Sequence, residues 1–449
     1  MMKKIAVLIM SAFLLFGCGT DLFYSSFRIR NTDLKWMLSP SAQSSLNYKS
    51  TVLGTGDFRF NSPSIVATPD NYILFLYESR ETNYPDIIGV DGAKRADVYA
   101  AISKNAENFI YLTQLVGGSS LESHGSPIAF VNNKNNNSEV IVLAVGGNGF
   151  ANSQDDTPSV ISKSVSIPKT EYTEWTEWED LDTNIFEPLL KDKYNRFYTS
   201  PDSGITLRNG TLACIIDYKK KDGNKAEGFA ILYSTDNGTN WKIGAKTAYQ
   251  NHRFAKIIAE RKDGKLLIAA AENSDNDYNK QADLAWILAD SLGWNISSFT
   301  VNGLPLHNCG STAGGKIQLA AGGYSKEALI LLHSSPNRAT TNANNVPNTV
   351  KNANALYISF NEGQNWEIVT NIFYPLEFNG KNYVYDDYDG RTSFRQSMRV
   401  LKDGTIAAVS ENGNYEIASS GSYGYGFKLV YRRFSLNAIS GGKYRYEGL

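Results

Sequence analysis

The octapeptide Ser234-Thr235-Asp236-Asn237-Gly238-Thr239-Asn240-Trp241 follows a strand-like run, Phe229-Ala230-Ile231-Leu232-Tyr233, and constrains the fold more than any other stretch. Its pattern, Ser-x-Asp-x-Gly-x-x-Trp, suits the tip of a β-hairpin. The Ser234 and Asp236 side chains can accept from nearby backbone N–H groups and close the turn without help from the ladder. Gly238 can take the positive φ of a tight turn. Trp241 can fold back as an apolar plug with one N–H to satisfy. One such peptide fits any hairpin, but this one recurs. Ser359-Phe360-Asn361-Glu362-Gly363-Gln364-Asn365-Trp366 repeats it, with Asn for Asp, after the run Ala355-Leu356-Tyr357-Ile358. Weaker echoes are Ser103-Lys104-Asn105-Ala106-Glu107-Asn108-Phe109 and Asp290-Ser291-Leu292-Gly293-Trp294. The chain reads as a repeat of hairpin-tipped units.

The stretches between the tips read as strands. Phe58-Arg59-Phe60-Asn61-Ser62-Pro63-Ser64-Ile65-Val66, Tyr72-Ile73-Leu74-Phe75-Leu76-Tyr77 and Ala96-Asp97-Val98-Tyr99-Ala100-Ala101-Ile102 form a first unit. Ser126-Pro127-Ile128-Ala129-Phe130 and Val140-Ile141-Val142-Leu143 belong to a second, whose tip between Ser162 and Trp178 has degenerated. A third starts at the Asn209-Gly210 hairpin and ends at Trp241; a fourth holds Ile257-Ile258-Ala259-Glu260 and Leu266-Leu267-Ile268. The fifth runs from Gly315 to Trp366, and the last holds Val400-Leu401-Lys402-Asp403-Gly404 and Phe427-Lys428-Leu429-Val430-Tyr431. Units of about 60 residues with about four strands each predict an all-β chain folded as a β-propeller. Two packed β-sandwiches are the competing architecture. Polar stretches at 132–137, 273–280 and 338–352 read as inserted loops, which shape pockets at one rim.

With Lys+Arg 44 against Asp+Glu 45, the chain lacks the basic excess of a nucleic-acid binder. His124, His252, His307 and His333 have no metal-binding spacing, so neither a metal nor another cofactor is expected. Cys214 and Cys309 are too few for a disulfide framework and read as separate buried thiols. His307-Asn308-Cys309 reads as a loop-to-strand junction, and Gly146-Gly147-Asn148-Gly149 opens no helix and so cradles no phosphate. Met1-Met2-Lys3-Lys4, followed by a short apolar run ending in Leu15-Phe16-Gly17-Cys18, reads as an export signal over residues 1–18. Its end resembles a bacterial lipobox. That resemblance implies acylation of Cys18, attachment to a membrane at the outer membrane or cell surface, a tether over 19–50 and a propeller over 51–449.

From Thr51 onward the residues resemble the sialidase (neuraminidase) superfamily, whose fold is a six-bladed propeller with Asp-box (BNR) tips. Besides the octapeptides, the resemblance rests on Glu78-Ser79-Arg80, Ser200-Pro201-Asp202-Ser203-Gly204-Ile205 and Cys309-Gly310-Ser311, in that order. It implies a retaining exo-glycosidase that removes terminal sialic acid from glycoconjugates. Such chemistry uses converging arginines for the carboxylate, a Tyr–Glu nucleophile and an Asp acid/base. Arg80 then touches substrate, and Asp86, with Asp91 second, is the acid/base. Arg59, Lys351 and Arg395 are the remaining anion holders, with Arg338 a substitute. Tyr388, or Tyr385, stands nearest the nucleophile position, which Arg395 occupies. The pattern departs elsewhere. Asn61 takes the first Arg position, Ala255 that of the Glu and Glu272 that of the second Arg, while Glu411 is structural. The alternative implied is a surface lipoprotein of this fold that binds sialylated or other acidic glycans without turnover.

Overall fold

The computed structural model describes residues 45–53, 58–81, 96–118, 122–132, 138–147, 149–150, 156–200, 202, 204–223, 226–244, 252–272, 282–290, 296–304, 307–308, 312–321, 324–333, 355–371, 392–412, 416–417, 423–424 and 428–446. After β1 (Asn47–Leu53), the chain forms antiparallel sheets in sequence order. Blade one holds β2 (Phe58–Ala67), β3 (Ile73–Glu81), β4 (Asp97–Ser103) and β5 (Phe109–Leu115). Blade two holds β6 (Gly125–Asn132), β7 (Glu139–Gly147), β8 (Ser159–Val165) and β9 (Glu179–Asp180). Blade three holds β10 (Tyr194–Thr199), β11 (Ile205–Thr206), β12 (Leu212–Lys220), β13 (Gly228–Ser234) and β14 (Lys242–Ile243). Blade four holds β15 (His252–Glu260), β16 (Leu266–Glu272), β17 (Ala282–Ala289) and β18 (Ile296–Ser298), with β19 (His307–Asn308) also on β17. Blade five holds β20 (Thr312–Ala321), β21 (Tyr324–His333), β22 (Ala355–Ser359) and β23 (Glu367–Asn371). Blade six holds β24 (Thr392–Val400), β25 (Ile406–Asn412) and, after a hairpin of β26 (Glu416–Ile417) and β27 (Tyr423–Gly424), β28 (Lys428–Phe434). The outer strand of blade six is β1, paired antiparallel to β28, so the first strand closes the last blade. The chain thus enters the propeller before the Thr51 boundary. Last, β29 (Arg445–Tyr446) adds to β20.

The core shows that the ring is closed. Buried apolar side chains fall into six clusters, one at each junction between neighbouring blades, including blade six against blade one. A middle strand therefore buries both faces. On β7, Val140, Val142 and Ala144 pack toward blade one, while Ile141, Leu143 and Val145 pack toward blade three. This is why such strands read as unbroken apolar runs and not as alternating ones. The first strands β2, β6 and β10, and likewise β15, β20, β24 and β2, touch in succession and surround the central hub. The β-sandwich alternative gives no such cyclic arrangement. Among the described residues no helix is long and apolar enough to cross a membrane.

The tips act as expected and also staple blades together. In blade three, Ser234 Oγ accepts from Gly238 N at 2.8 Å, Asp236 Oδ1 accepts from Asn240 N at 2.8 Å, and Trp241 Nε1 donates to Gly238 O at 3.1 Å. Blade five repeats this with Ser359, Asn361 and Trp366. In blade one, Asn105 Oδ1 accepts from Glu107 N and Asn108 N, so the first weak echo is a true variant. The second echo, Asp290-Ser291-Leu292-Gly293-Trp294, lies mostly outside the described residues. Each tip leans on the preceding blade. At Gly238 (φ 79°) an added Cβ would meet Ile141 Cδ1 at 2.5 Å, and at Gly363 (φ 87°) Leu267 Cδ2 at 2.5 Å. Both the positive φ and the close approach require glycine there. Blade two uses a wider loop, in which Tyr172 and Trp175 plug the blade-one junction and Tyr172 OH donates to Asp70 Oδ1 at 2.6 Å. Cys214 is a buried free thiol in the junction of blades two and three; Cys309 lies outside the described residues.

Candidate functional site

The inner strands are distorted where they face the hub. Register shifts occur on β2 between Asn61 and Ser64, and on β6 between Gly125 and Ile128. In each bulge a serine ahead of a proline has a positive φ, 56° at Ser62 and 52° at Ser126. A following proline disfavours right-handed helical space for these serines, and positive φ is uncommon without glycine. Similar shifts interrupt β15 between Arg253 and Lys256, and β24 between Thr392 and Gln396. In blade three the inner strand is broken outright. Both β10 and β11 pair with β12, and the segment 200–204 between them carries Asp202 at φ 56°. The Asn-Gly hairpin is present, but it follows this break and does not begin the blade. Bulges of this kind re-aim side chains beside functional sites. Hydroxyls tie the bulged strands around the ring. Ser397 Oγ accepts from Ile65 N at 2.8 Å, Ser64 Oγ from Ala129 N at 3.1 Å, and Ser126 Oγ donates to Thr199 O at 2.6 Å.

On β3, Glu78 and Arg80 lie two residues apart and so on one face of the strand. Arg80 Nη2 is 2.5 Å from Glu78 Oε1, and the two side chains are 4% and 0% exposed. Glu78 also accepts from Asn61 Nδ2 at 3.2 Å and, through Oε2, from Ser126 N at 2.7 Å. Three donors from blades one and two thus hold one carboxylate, which in turn fixes the guanidinium. Such a preset fork suits an anionic oxygen pair.

A second ionic group crosses the hub. Asp202 of blade three accepts from Ser397 Oγ at 2.5 Å and pairs with Arg399 Nη1 at 3.1 Å, both on the opposite blade six. Arg399 Nη2 also donates to Gly204 O at 3.2 Å. Burial pushes the Asp202 carboxyl above the usual range, although Arg399, Lys256, the Ser397 hydroxyl and Met398 N all pull it down. The native state holds the Asp202 proton more tightly than the unfolded chain, whose Asp titrates near 4. Its contribution is therefore full below the unfolded value and lost as pH rises through the folded one. The stability difference between wild type and Asp202→Asn is expected to shrink as pH is raised from about 4. Urea midpoints at a series of pH values check this, and a difference that grows with pH would contradict it.

The residues expected from sequence are placed unevenly. Arg80 and Glu78 stand together as a buried ion pair. Arg59 on β2 stands opposite Arg80, and Asn61 opposite Glu78. Arg395 lies in β24, and Glu272 and Glu411 lie in β16 and β25. Asp86, Asp91, Arg338, Lys351, Tyr385 and Tyr388 lie outside the described residues. Ala255 is fully buried in the junction between blades three and four. The next residue, Lys256, is 1% exposed and acts electrostatically on Asp202. Lys256, Ser397 and Arg399 were not singled out from sequence. For Lys256 the one sign was a charge beside the apolar run Ile257-Ile258-Ala259; the mostly polar β24 sets Ser397 and Arg399 apart by nothing. Among the described residues no group of three or more His, Cys, Asp or Glu stands together to hold a metal.

Comparison with known proteins agrees with this geometry. A BNR repeat-like domain matches residues 75–278. The Hadza microbial sialidase Hz136 superposes with a TM-score of 0.59 at 17% identity, over 86% of this chain and 69% of that one. A Trypanosoma rangeli sialidase gives 0.57 at 13% identity, over 86% of this chain and 56% of that one. The chain therefore spans little more than half of the trypanosomal protein. The intramolecular trans-sialidase from Ruminococcus gnavus, in complex with oseltamivir carboxylate, gives 0.55 at 14% identity, over 87% and 98%. No curated protein matches the sequence significantly. At these identities the likeness is one of fold. The hairpin tips, the six closed junctions and these superpositions together make the chain a six-bladed Asp-box propeller with the fold of the sialidase superfamily.

Proposed function

We propose that the hub face around Arg80 binds a terminal acidic sugar of a glycoconjugate. The buried Glu78–Arg80 pair carries this reading, because it presets a guanidinium where the bulged inner strands converge. Charge around the hub favours the same ligand. Arg80, Lys256 and Arg399 outnumber their described carboxylate partners Glu78 and Asp202. Binding is placed ahead of turnover because Ala255 is packed between blades where the hydrolytic pattern needs a Glu.

The second reading is hydrolysis, as a retaining exo-sialidase. The fold shared with sialidases and the spacing from Arg80 to Asp86 favour it. Asp86 is then the acid/base, Tyr388 the nucleophile, and Arg59, Lys351 and Arg395 hold the carboxylate. Calorimetric titration with methyl sialosides and a fluorogenic sialoside assay on the same folded protein separate the two. Binding without turnover leaves the first reading, release of the fluorophore establishes the second, and neither removes both.

The Cys18 lipobox places the propeller on a membrane surface in this proposal. Cells fed an alkynyl fatty acid are expected to label the wild-type chain and not Cys18→Ser. Equal labelling of the two would rule the anchor out.

A further inference from the structure

Asn61 stands where the resemblance calls for an arginine, and the structure shows what it does there. Its side chain is buried, at 1% exposure, on the bulge of β2. A carboxylate can only accept, so contact with Glu78 Oε1 at 3.2 Å forces the amide to present Nδ2 to it. Oδ1 is thereby turned away from Glu78, and among the described residues it has no hydrogen-bond partner. A buried amide oxygen without a donor is costly, and folded chains keep few of them. Its neighbour Glu78 meets Asn61, Arg80 and Ser126 N as an acceptor, and a carboxylate has no donor to give the amide oxygen.

We infer that Asn61 is a specificity-determining residue whose Oδ1 accepts a hydrogen bond from a hydroxyl or amide N–H of the bound sugar. This rests on the proposed binding of an acidic sugar at Arg80. The two residues then read two different features. The guanidinium takes the acid group, and the amide oxygen demands a donor beside it. An arginine at position 61 would attract a carboxylate to blade one, whereas an acceptor there repels it. The substrate class is an acidic sugar that turns a hydroxyl or acylamino group, and not its carboxylate, toward blade one.

The test uses methyl sialoside and its single-deoxy analogues as probes, titrated calorimetrically into wild type and Asn61→Leu. For wild type, one analogue is expected to bind about tenfold to a hundredfold more weakly than the parent. For Asn61→Leu, parent and that analogue are expected to bind equally, because the missing hydroxyl has lost its acceptor on the protein. A structural role for Asn61 would weaken all probes alike and leave their ratios unchanged, which overturns the inference. The wild-type series is decisive even where the variant does not fold, since no analogue weaker by more than about twofold also overturns it. Failure of wild type to bind any acidic sugar would instead remove the Arg80 reading and this one with it.

Discussion

Arg80→Lys is expected to lower affinity for a terminal acidic sugar by about tenfold to a hundredfold while leaving the fold intact. A lysine keeps the positive charge beside Glu78 but loses the planar fork, and so exchanges two directed donors on a carboxylate for a point charge. A hydrogen bond to a charged group is worth about 1.5–3 kcal/mol, and about 1.4 kcal/mol corresponds to a factor of ten. Arg80→Ala is the blunter change. It strands Glu78, whose side chain is 0% exposed, without its counter-charge, and folding stability suffers with binding. The lysine variant therefore isolates recognition. Its measurement is a pair of titrations, with an acidic sugar and with a neutral one of the same size. If Arg80 grips the acid, only the acidic ligand weakens. Equal affinity of wild type and Arg80→Lys for the acidic sugar would show that the anion is held elsewhere.

The repeat and its tips were legible because they are local. Ser234, Asp236, Gly238 and Trp241 bond within a single turn, and the same spacing returns at Ser359 and, weakened, at Ser103. Blade two hid its tip because Tyr172 and Trp175 reach their places through contacts with blade one, which no short window contains. The same division runs through the candidate site. Glu78 and Arg80 share a face by the period of two along β3, so sequence pairs them. The Asp202 group resists that reasoning. Ser397 and Asp202 are 195 residues apart, and the bulges on β15 and β24 break the alternation that would say which side chains face inward. Ala255 stands at the position the resemblance gives to a Glu, while its neighbour Lys256 is the residue that acts on Asp202. By sequence Asn61 is an Asn at the first Arg position. Only its bond to Glu78 shows that the replacement carries an acceptor of its own.

The largest loss of stability is expected from Arg433→Ala, at the seam where blade six meets blade one. Arg433 on β28 is 1% exposed, and its Nη2 lies 2.9 Å from Asp403 Oδ2, also 1% exposed. Nε donates to Thr405 Oγ1 at 3.2 Å, while Nη1 lies 3.4 Å from Glu107 Oε1 in the blade-one tip. Asp403 Oδ1 is itself engaged by Thr405 N at 3.0 Å, and Tyr431 OH from the same strand donates to Ala106 O at 2.5 Å. One guanidinium thus joins a turn of the last blade to the tip of the first. Removing it leaves Asp403 buried without a counter-charge, a change that costs about 3–5 kcal/mol. Against a total of about 5–15 kcal/mol, such a loss brings the ring close to opening. A burial effect alone predicts something different from a charge effect, and a second variant tells them apart. Arg433→Met combined with Asp403→Asn removes both charges, and it is expected to recover about 0.5–3 kcal/mol relative to the sum of the single losses. Urea unfolding of wild type, Arg433→Ala, Arg433→Met, Asp403→Asn and the double variant supplies the comparison. If Arg433→Ala costs less than about 1 kcal/mol, the seam is held by apolar packing of Phe75, Leu401 and Tyr431, and the ion pair contributes little to closing the propeller.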